Sequence, residues 1–464
     1  MIPLTLAEVA TATGGTLDAA DPAAVVAGDV VVDSRLVVPG SLFVAVRGER
    51  VDGHDFAGRA VSEGAVAALV ERPTGGPAVV VADTVAALSA LARAVRERLP
   101  GLPVVGITGS SGKTSTKDLL AEVLADLGPV VAPPGSYNNE IGLPLTVLRA
   151  DPGTRALVLE MGARGRGHVA ALCRTAAPTV GVVLNVGSAH LGEFGSREAI
   201  ALSKGELVES LPGEGTAVLN ADDPLVRAMR DRTTARVLLV GEAADADVRA
   251  EDVRLDDQGR PSFRLVGPGD TAQVRLGLVG EHQVANALAA VGAAHALGLP
   301  FDATATALSS ARPRSRWRME VEETPEGVTV VNDAYNANPE SVRAALKALV
   351  SLARGRRTWA VLGEMRELGA TAREEHDAIG RLAVRLDVSR LLAVGEGARA
   401  VHLGAAHEGS WGDESAWVPD VDAALAVLRA ELRPGDVVLV KASRAVGLER
   451  VAEALLTDGR GAAE

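Results

Sequence analysis

The segment Thr108-Gly109-Ser110-Ser111-Gly112-Lys113-Thr114-Ser115 has the residue types of a triphosphate cradle. Its glycines let backbone N–H groups approach phosphate oxygens, and a helix starting beyond it would add a favourable field. Lys113 would reach the β- and γ-phosphates, and the Thr114 hydroxyl would bind Mg²⁺. A chance glycine turn is the bland alternative. An apolar run before the segment (Val104, Val105, Ile107) and a helical pattern after it (Leu119, Leu120, Val123, Leu124) argue for the phosphate reading. The loop is one glycine short of the usual pattern, with Ile107 five residues before Gly112.

Triphosphate chemistry needs metal ligands besides Thr114. Glu160 closes the apolar run Ala156-Leu-Val-Leu-Glu. A carboxylate there is costly without a partner, and Mg²⁺ takes oxygen ligands. A helix-capping carboxylate is the alternative. His190 lies just past the next apolar run and suits either a hydrogen-bonded structural role or a place beside Glu160. Lys204, in Ala199-Ile-Ala-Leu-Ser-Lys-Gly-Glu-Leu, reads on its own as a solvated helix lysine. The run Asn332-Asp333-Ala334-Tyr335-Asn336-Ala337-Asn338-Pro339 is either an asparagine-rich cap or the polar wall of a cleft facing the phosphate loop.

These residues must be positioned by parallel α/β sheets. Apolar runs alternate with helical stretches throughout: Val30 to Val32, Ser41 to Val46 and Ala65 to Val70 in the first hundred residues, then Arg155 to Glu160, Thr179 to Val186, Thr216 to Leu219 and Arg236 to Val240. Polar alternation from Val248 to Leu278 predicts an antiparallel annex, followed by an alanine-rich helix over Gly280 to Gly298. Four further strands (Val328 to Val331, Thr358 to Leu362, Arg390 to Val394, Asp436 to Val440) predict another α/β sheet. At 464 residues the chain exceeds one core, and breaks at Pro100-Gly101 and Arg312–Arg316 divide it into 1–100, 101–312 and 313–464.

Composition narrows the chemistry. Hydrophobic residues are 47% and aromatics only 2%, so the cores must be aliphatic. A net charge of −13 argues against nucleic acid or an anionic membrane as partner. The single cysteine, Cys173, excludes an internal disulfide framework and reads as buried filler. No basic leader and no membrane-length apolar run is present, so the cytoplasm is the expected compartment.

Together these motifs resemble the Mur ligase family, ATP-dependent amide-forming enzymes of peptidoglycan synthesis. The shortened phosphate loop is similar to that family's. Tyr137-Asn-Asn-Glu-Ile-Gly-Leu-Pro144, Ser188-Ala-His-Leu, Phe194-Gly-Ser, Ser203-Lys-Gly-Glu206, Asp333-Ala-Tyr-Asn-Ala-Asn-Pro339 and Leu362-Gly-Glu-Met-Arg-Glu-Leu-Gly369 look like the member that adds D-alanyl-D-alanine. The resemblance implies three domains: one for a UDP-sugar, a central P-loop ATPase and a C-terminal Rossmann-like domain. It implies ATP and Mg²⁺, with Thr114 and Glu160 holding one ion, His190 a second, and Lys204 carbamylated as a further ligand. It assigns adenine to Asn286, ribose to Asp333 and a phosphate contact to Arg316. It assigns substrate contacts to Ser34, Arg35, Asn138, Asn139, Tyr335, Asn336 and Asn338. The implied reaction joins D-alanyl-D-alanine to a UDP-N-acetylmuramoyl tripeptide through an acyl phosphate, on a chain expected to act as a monomer. Gln283 and Ala442 depart from the family's usual asparagine and glycine. A folylpolyglutamate synthetase, a different Mur ligase, a noncatalytic nucleotide-binding subunit and a P-loop switch are weaker readings. The Asp333–Pro339 motif disfavours the first two, and the absence of Cys-x-x-Cys pairs or a guanine reader the others.

Overall fold

The computed structural model of the chain describes residues 1–48, 51–187, 191–312, 314–409, 412 and 414–458. The sheets of the central and C-terminal regions carry two cavities. The central sheet has nine strands, in the order Asp270–Arg275, Pro261–Gly267, Val248–Leu255, Arg236–Gly241, Thr216–Asn220, Val180–Val183, Val104–Thr108, Ala156–Glu160 and Val130–Val131. Pairing is parallel from Val248–Leu255 to Val130–Val131, while Val248–Leu255, Pro261–Gly267 and Asp270–Arg275 form the expected antiparallel annex. Val104–Thr108 sits between Val180–Val183 and Ala156–Glu160, with Ile107 opposite Glu160 and Thr108 opposite Val183. That register brings three strand ends to one edge, where open α/β sheets bind ligands.

The last sheet runs Glu320–Glu323, Thr329–Asn332, Val437–Lys441, Thr358–Leu362, Arg390–Val394, Ser415–Val418, and only its first pair is antiparallel. Asn332 pairs with Val440, and Lys441 with Leu362, so three loops leave adjacent strand ends together. The N-terminal sheet is Thr16–Asp18, Ala78–Val80, Ala67–Val70, Leu42–Val44, Val30–Val31.

The apolar core does not stop at Pro100-Gly101. One buried cluster joins Leu42, Leu69 and Leu91 of the N-terminal region to Leu143, Leu157 and Val169 of the central one. The helix Thr84–Glu97 starts at an Asp83 cap and turns Leu88, Leu91, Ala92 and Val95 onto this core. Each such leucine or valine contributes roughly 1.5–3 kcal/mol relative to exposure, so the N-terminal sheet is firmly mounted on the central sheet. The alanine-rich helix covers Gln283–Ala296 and is buried on nearly all sides. Cys173 is buried 3.7 Å from the Met161 sulfur, and burial pushes its thiol up to about 12, as filler requires. Among the described residues no helix is long and apolar enough to cross a membrane.

Candidate active site

Ile107 explains the shortened loop. It is fully buried in the sheet, so the strand runs on to Thr108 and the loop begins only at Gly109. Gly112 has φ +82, and a Cβ there would come 2.3 Å from the Asn286 side-chain oxygen. Only glycine fits, both for conformation and for space. Asn185, which follows the strand Val180–Val183, accepts the Ser110 and Ser111 N–H groups on its side-chain oxygen, each at 3.0 Å. Lys113 opens the helix Lys113–Val123, and its ammonium donates to the Gly109 carbonyl at 2.5 Å. A lysine held across the cradle by its own loop is preset to face phosphate oxygens.

Glu160 is fully buried, and neither of its oxygens has a hydrogen-bond partner among the described residues. The adjacent Thr114 hydroxyl is engaged with Ser136 instead, at 2.9 Å. Burial pushes the Glu160 carboxyl above its ordinary range, against the opposing pull of Lys117, Lys113 and Arg318. Two orphaned carboxylate oxygens beside a hydroxyl are the donor set a hard divalent cation takes. The residues present therefore fit Mg²⁺.

Lys204 is only 2% exposed, which overturns its reading as a solvated lysine. Its helix, Arg197–Glu209, packs on the helix His168–Ala176 and the strands Val180–Val183 and Val104–Thr108. Burial first, and then the charge of Lys113, hold its ammonium well below the ordinary lysine range. His190 lies outside the described residues.

Two cavities meet at the loop. The smaller, about 170 Å³, is bounded by Ser111, Gly112, Ser115, Asn286 and Asp333. Asn286 is buried, donates to Gln283 at 2.9 Å and accepts from Thr116 at 3.4 Å. The Gln283 departure is thus compatible with an oriented Asn286. Asp333 receives the buried Lys441 ammonium at 2.6 Å, which gives that lysine a definite partner.

The larger cleft, about 600 Å³, opens on the other side of Ser110 and Lys113. Asn138, Asn139, Tyr335, Asn336 and Asn338 all line it, and so do Arg164, Arg366 and Arg444. Asn139 also accepts the Gly142 N–H at 2.8 Å, at the start of the helix Gly142–Val147. Asn338 both caps the helix Pro339–Ala353 and donates to the Ser110 carbonyl at 3.2 Å. For Asn338 the capping and cleft-lining alternatives hold together. The Tyr335 hydroxyl accepts the Ser136 N–H at 3.4 Å.

Arg316 does not join the constellation. Its side chain is 72% exposed and pairs with Glu453 at 3.3 Å. Arg318, two residues on, takes the phosphate-side place and donates to Thr114 at 3.1 Å and Ser136 at 3.4 Å. Trp317 and Met319 have φ of +58 and +52, and that reversal of the backbone separates the two arginines. Ser34 and Arg35 line neither cavity; Arg35 is exposed and paired with Asp33 at 2.6 Å. Arg318, Asn185 and Lys117 escaped the reading of the sequence. The cluster of arginines at 312, 314, 316 and 318 was the one available signal.

A phosphate loop that borders a narrow cavity on one side and a wider polar cleft on the other is the arrangement of a phosphoryl-transfer enzyme. Residues 29–107 match the Mur ligase family catalytic domain, 107–294 the Mur ligase middle domain, and 317–444 the Mur ligase glutamate ligase domain. The chain belongs to the Mur ligase family of ATP-dependent amide-bond-forming enzymes. It is 53% identical to the UDP-N-acetylmuramoyl-tripeptide--D-alanyl-D-alanine ligase of Mycobacterium bovis, over 99% of this chain and 98% of that one. Its fold matches the MurF crystal structure from Acinetobacter baumannii with a TM-score of 0.89 and 32% identity, covering 98% and 99% of the two chains. It also matches Thermotoga maritima MurF in complex with ADP (TM-score 0.81, 33% identity, 93% and 98% covered).

Proposed function

We propose that this chain joins D-alanyl-D-alanine to UDP-N-acetylmuramoyl-tripeptide, giving UDP-N-acetylmuramoyl-pentapeptide, ADP and phosphate. The observation that carries this is one phosphate loop bordering both cavities, Ser111, Gly112 and Ser115 on the narrow side with Asn286 and Asp333, and Ser110 and Lys113 on the wide side.

ATP lies with adenine near Asn286, ribose near Asp333 and the triphosphate over Gly109–Ser115. The terminal carboxylate of the tripeptide enters from the wide cleft and attacks the γ-phosphorus. ADP leaves, and Lys113 and Arg318 offset the charge that develops on the transferred phosphoryl oxygens. The dipeptide amine then attacks the acyl carbon of the acyl phosphate and inorganic phosphate departs. A carboxylate is a poor electrophile, and phosphorylation supplies its leaving group. Asn138, Asn139, Tyr335, Asn336 and Asn338 orient the two peptides, and Ser34 and Arg35 contact the UDP-sugar from the N-terminal sheet.

Thr114 and Glu160 would hold one Mg²⁺, with a Lys204 carbamate and His190 at a second; when bound, the ions neutralise phosphate charge and polarise the γ-phosphoryl group. A carbamate forms only from a neutral amine, and the burial of Lys204 favours that form. We assign the UDP-sugar domain to 1–100, the ATPase domain to 101–312 and the ligase domain to 313–464.

Phosphate release in the presence of ATP, the UDP-tripeptide and D-alanyl-D-alanine tests the proposal. Stoichiometric pentapeptide and phosphate, dependent on both peptides, is the expected result. Hydrolysis of ATP at the same rate with neither peptide present would overturn it.

A further inference from the structure

The strap Arg316–Met319 crosses from the central to the C-terminal region with two non-glycine residues, Trp317 and Met319, in the left-handed conformation. Such backbone persists only where the surroundings over-determine it. Here they do. The Trp317 carbonyl accepts the Tyr335 N–H at 3.3 Å, and the Met319 N–H donates to Asp333 at 3.3 Å. The Trp317 indole N–H donates to Glu453 at 3.2 Å. Its ring carries the guanidinium of Arg444 at 4.1 Å from the centroid and that of Arg316 at 5.1 Å.

The neighbours of this ring point in two functional directions. Arg444 lines the wide cleft and is steadied from its other side by Glu449 at 2.5 Å. Arg318, the next residue along the strap, reaches the Thr114 hydroxyl and lies 4.4 Å over the Tyr335 ring. Trp317 itself lines neither cavity and touches no group that reacts.

We propose that Trp317 is a positioning residue for the ligation: its ring holds Arg444 as an anion contact on the amine side of the cleft, and its reversed backbone holds Arg318 at the phosphate loop. The proposal rests on the ligase reading above. The group Arg444 would meet is the carboxylate of the incoming dipeptide, the one anion the amine substrate brings. The aromatic surface fixes the guanidinium plane, and the N–H groups not taken by Glu449 would meet the carboxylate.

The test compares Trp317→Leu, which removes the aromatic face, with Trp317→Phe, which keeps a face and loses the bond to Glu453. Steady-state kinetics on the full chain would give kcat and the KM of each substrate, with thermal melting alongside. Trp317→Leu should raise the dipeptide KM about tenfold, the loss of a stacked-cation contact in a desolvated setting, and should lower kcat, because Arg318 loses its fixed approach. The KM of the UDP-tripeptide should stay within about twofold, and Trp317→Phe should recover most of the dipeptide KM. A variant with a lowered melting temperature and an unchanged dipeptide KM would reduce Trp317 to a packing residue and overturn the proposal. A Trp317→Phe variant as impaired as Trp317→Leu would do the same. Should Trp317→Leu not fold, Arg444→Gln probes the stack from its other partner; it too should raise the dipeptide KM about tenfold, and an unchanged value would overturn the proposal. An unmodified chain that makes no pentapeptide would count against the ligase reading and not against the positioning role alone.

Discussion

Ionisable groups at two places in this molecule sit in opposite surroundings. At the N-terminal sheet, Arg35 is 80% exposed and binds Asp33 through three side-chain contacts of 2.6–3.1 Å. Hydrogen bonds from Arg35 hold the Asp33 carboxyl down to about 2, so both groups stay charged and water screens them. At the sheet edge of the ATPase region, Glu160 and Lys204 are 0% and 2% exposed, and burial drives each toward its neutral form. The first pair is complete without a ligand. On the reading proposed above, the second region gains its partners with the ligands, a cation at Glu160 and a carbamate on Lys204. Burying the Glu160 carboxylate without a hydrogen-bond partner among the described residues costs free energy in the folded chain, and on that reading a bound cation would offset the cost.

Removing a group from the buried region should have the larger effect. Lys204→Ala should lower kcat about a thousandfold, the scale of losing one electrostatic element of a transition state. Formate or acetate should restore part of the activity by filling the vacated oxygen-ligand place. Near-normal turnover in the variant would erase the contrast with an ordinary surface lysine.

The two strap arginines sharpen the comparison within five residues of chain. Arg318→Ala should lower kcat about a hundredfold, while Arg316→Ala, whose side chain faces solvent and Glu453, should stay within about twofold. Steady-state kinetics on both variants decides it, and the reverse ranking would show that the strap turns over when nucleotide binds. The smallest effect belongs to the exposed pair. Arg35→Ala should raise the KM of the UDP-tripeptide several-fold with kcat unchanged, as a rim contact does. A fall in kcat would place Arg35 in the chemistry.

The parts legible in the sequence were those in which one contiguous segment carries the information. Glycine spacing, Lys113 and Thr114 define the loop, and the apolar run ending in Glu160 defines a strand with a stranded carboxylate. Most core strands were visible as apolar runs. The edge strand Glu320–Glu323 was not, because three of its four residues are glutamates and its charge guards the edge. Lys204 was unreadable for a different reason. Its neighbours along the helix look mixed, and its burial comes from a strand and a helix far away in sequence. Arg316 and Arg318 share one context of alternating arginines, and only the left-handed backbone at Trp317 and Met319 decides which of them meets Thr114.

The account stands on a carboxylate attacking the γ-phosphate at this loop. Tripeptide labelled with ¹⁸O in its terminal carboxylate, turned over with ATP and D-alanyl-D-alanine, tests that step directly by mass spectrometry of the released phosphate. Transfer of one ¹⁸O to phosphate per amide bond formed is the predicted result, because the oxygen that attacked phosphorus leaves with it. Pentapeptide formed alongside unlabelled phosphate would contradict the acyl phosphate and with it the roles given to Lys113 and Arg318.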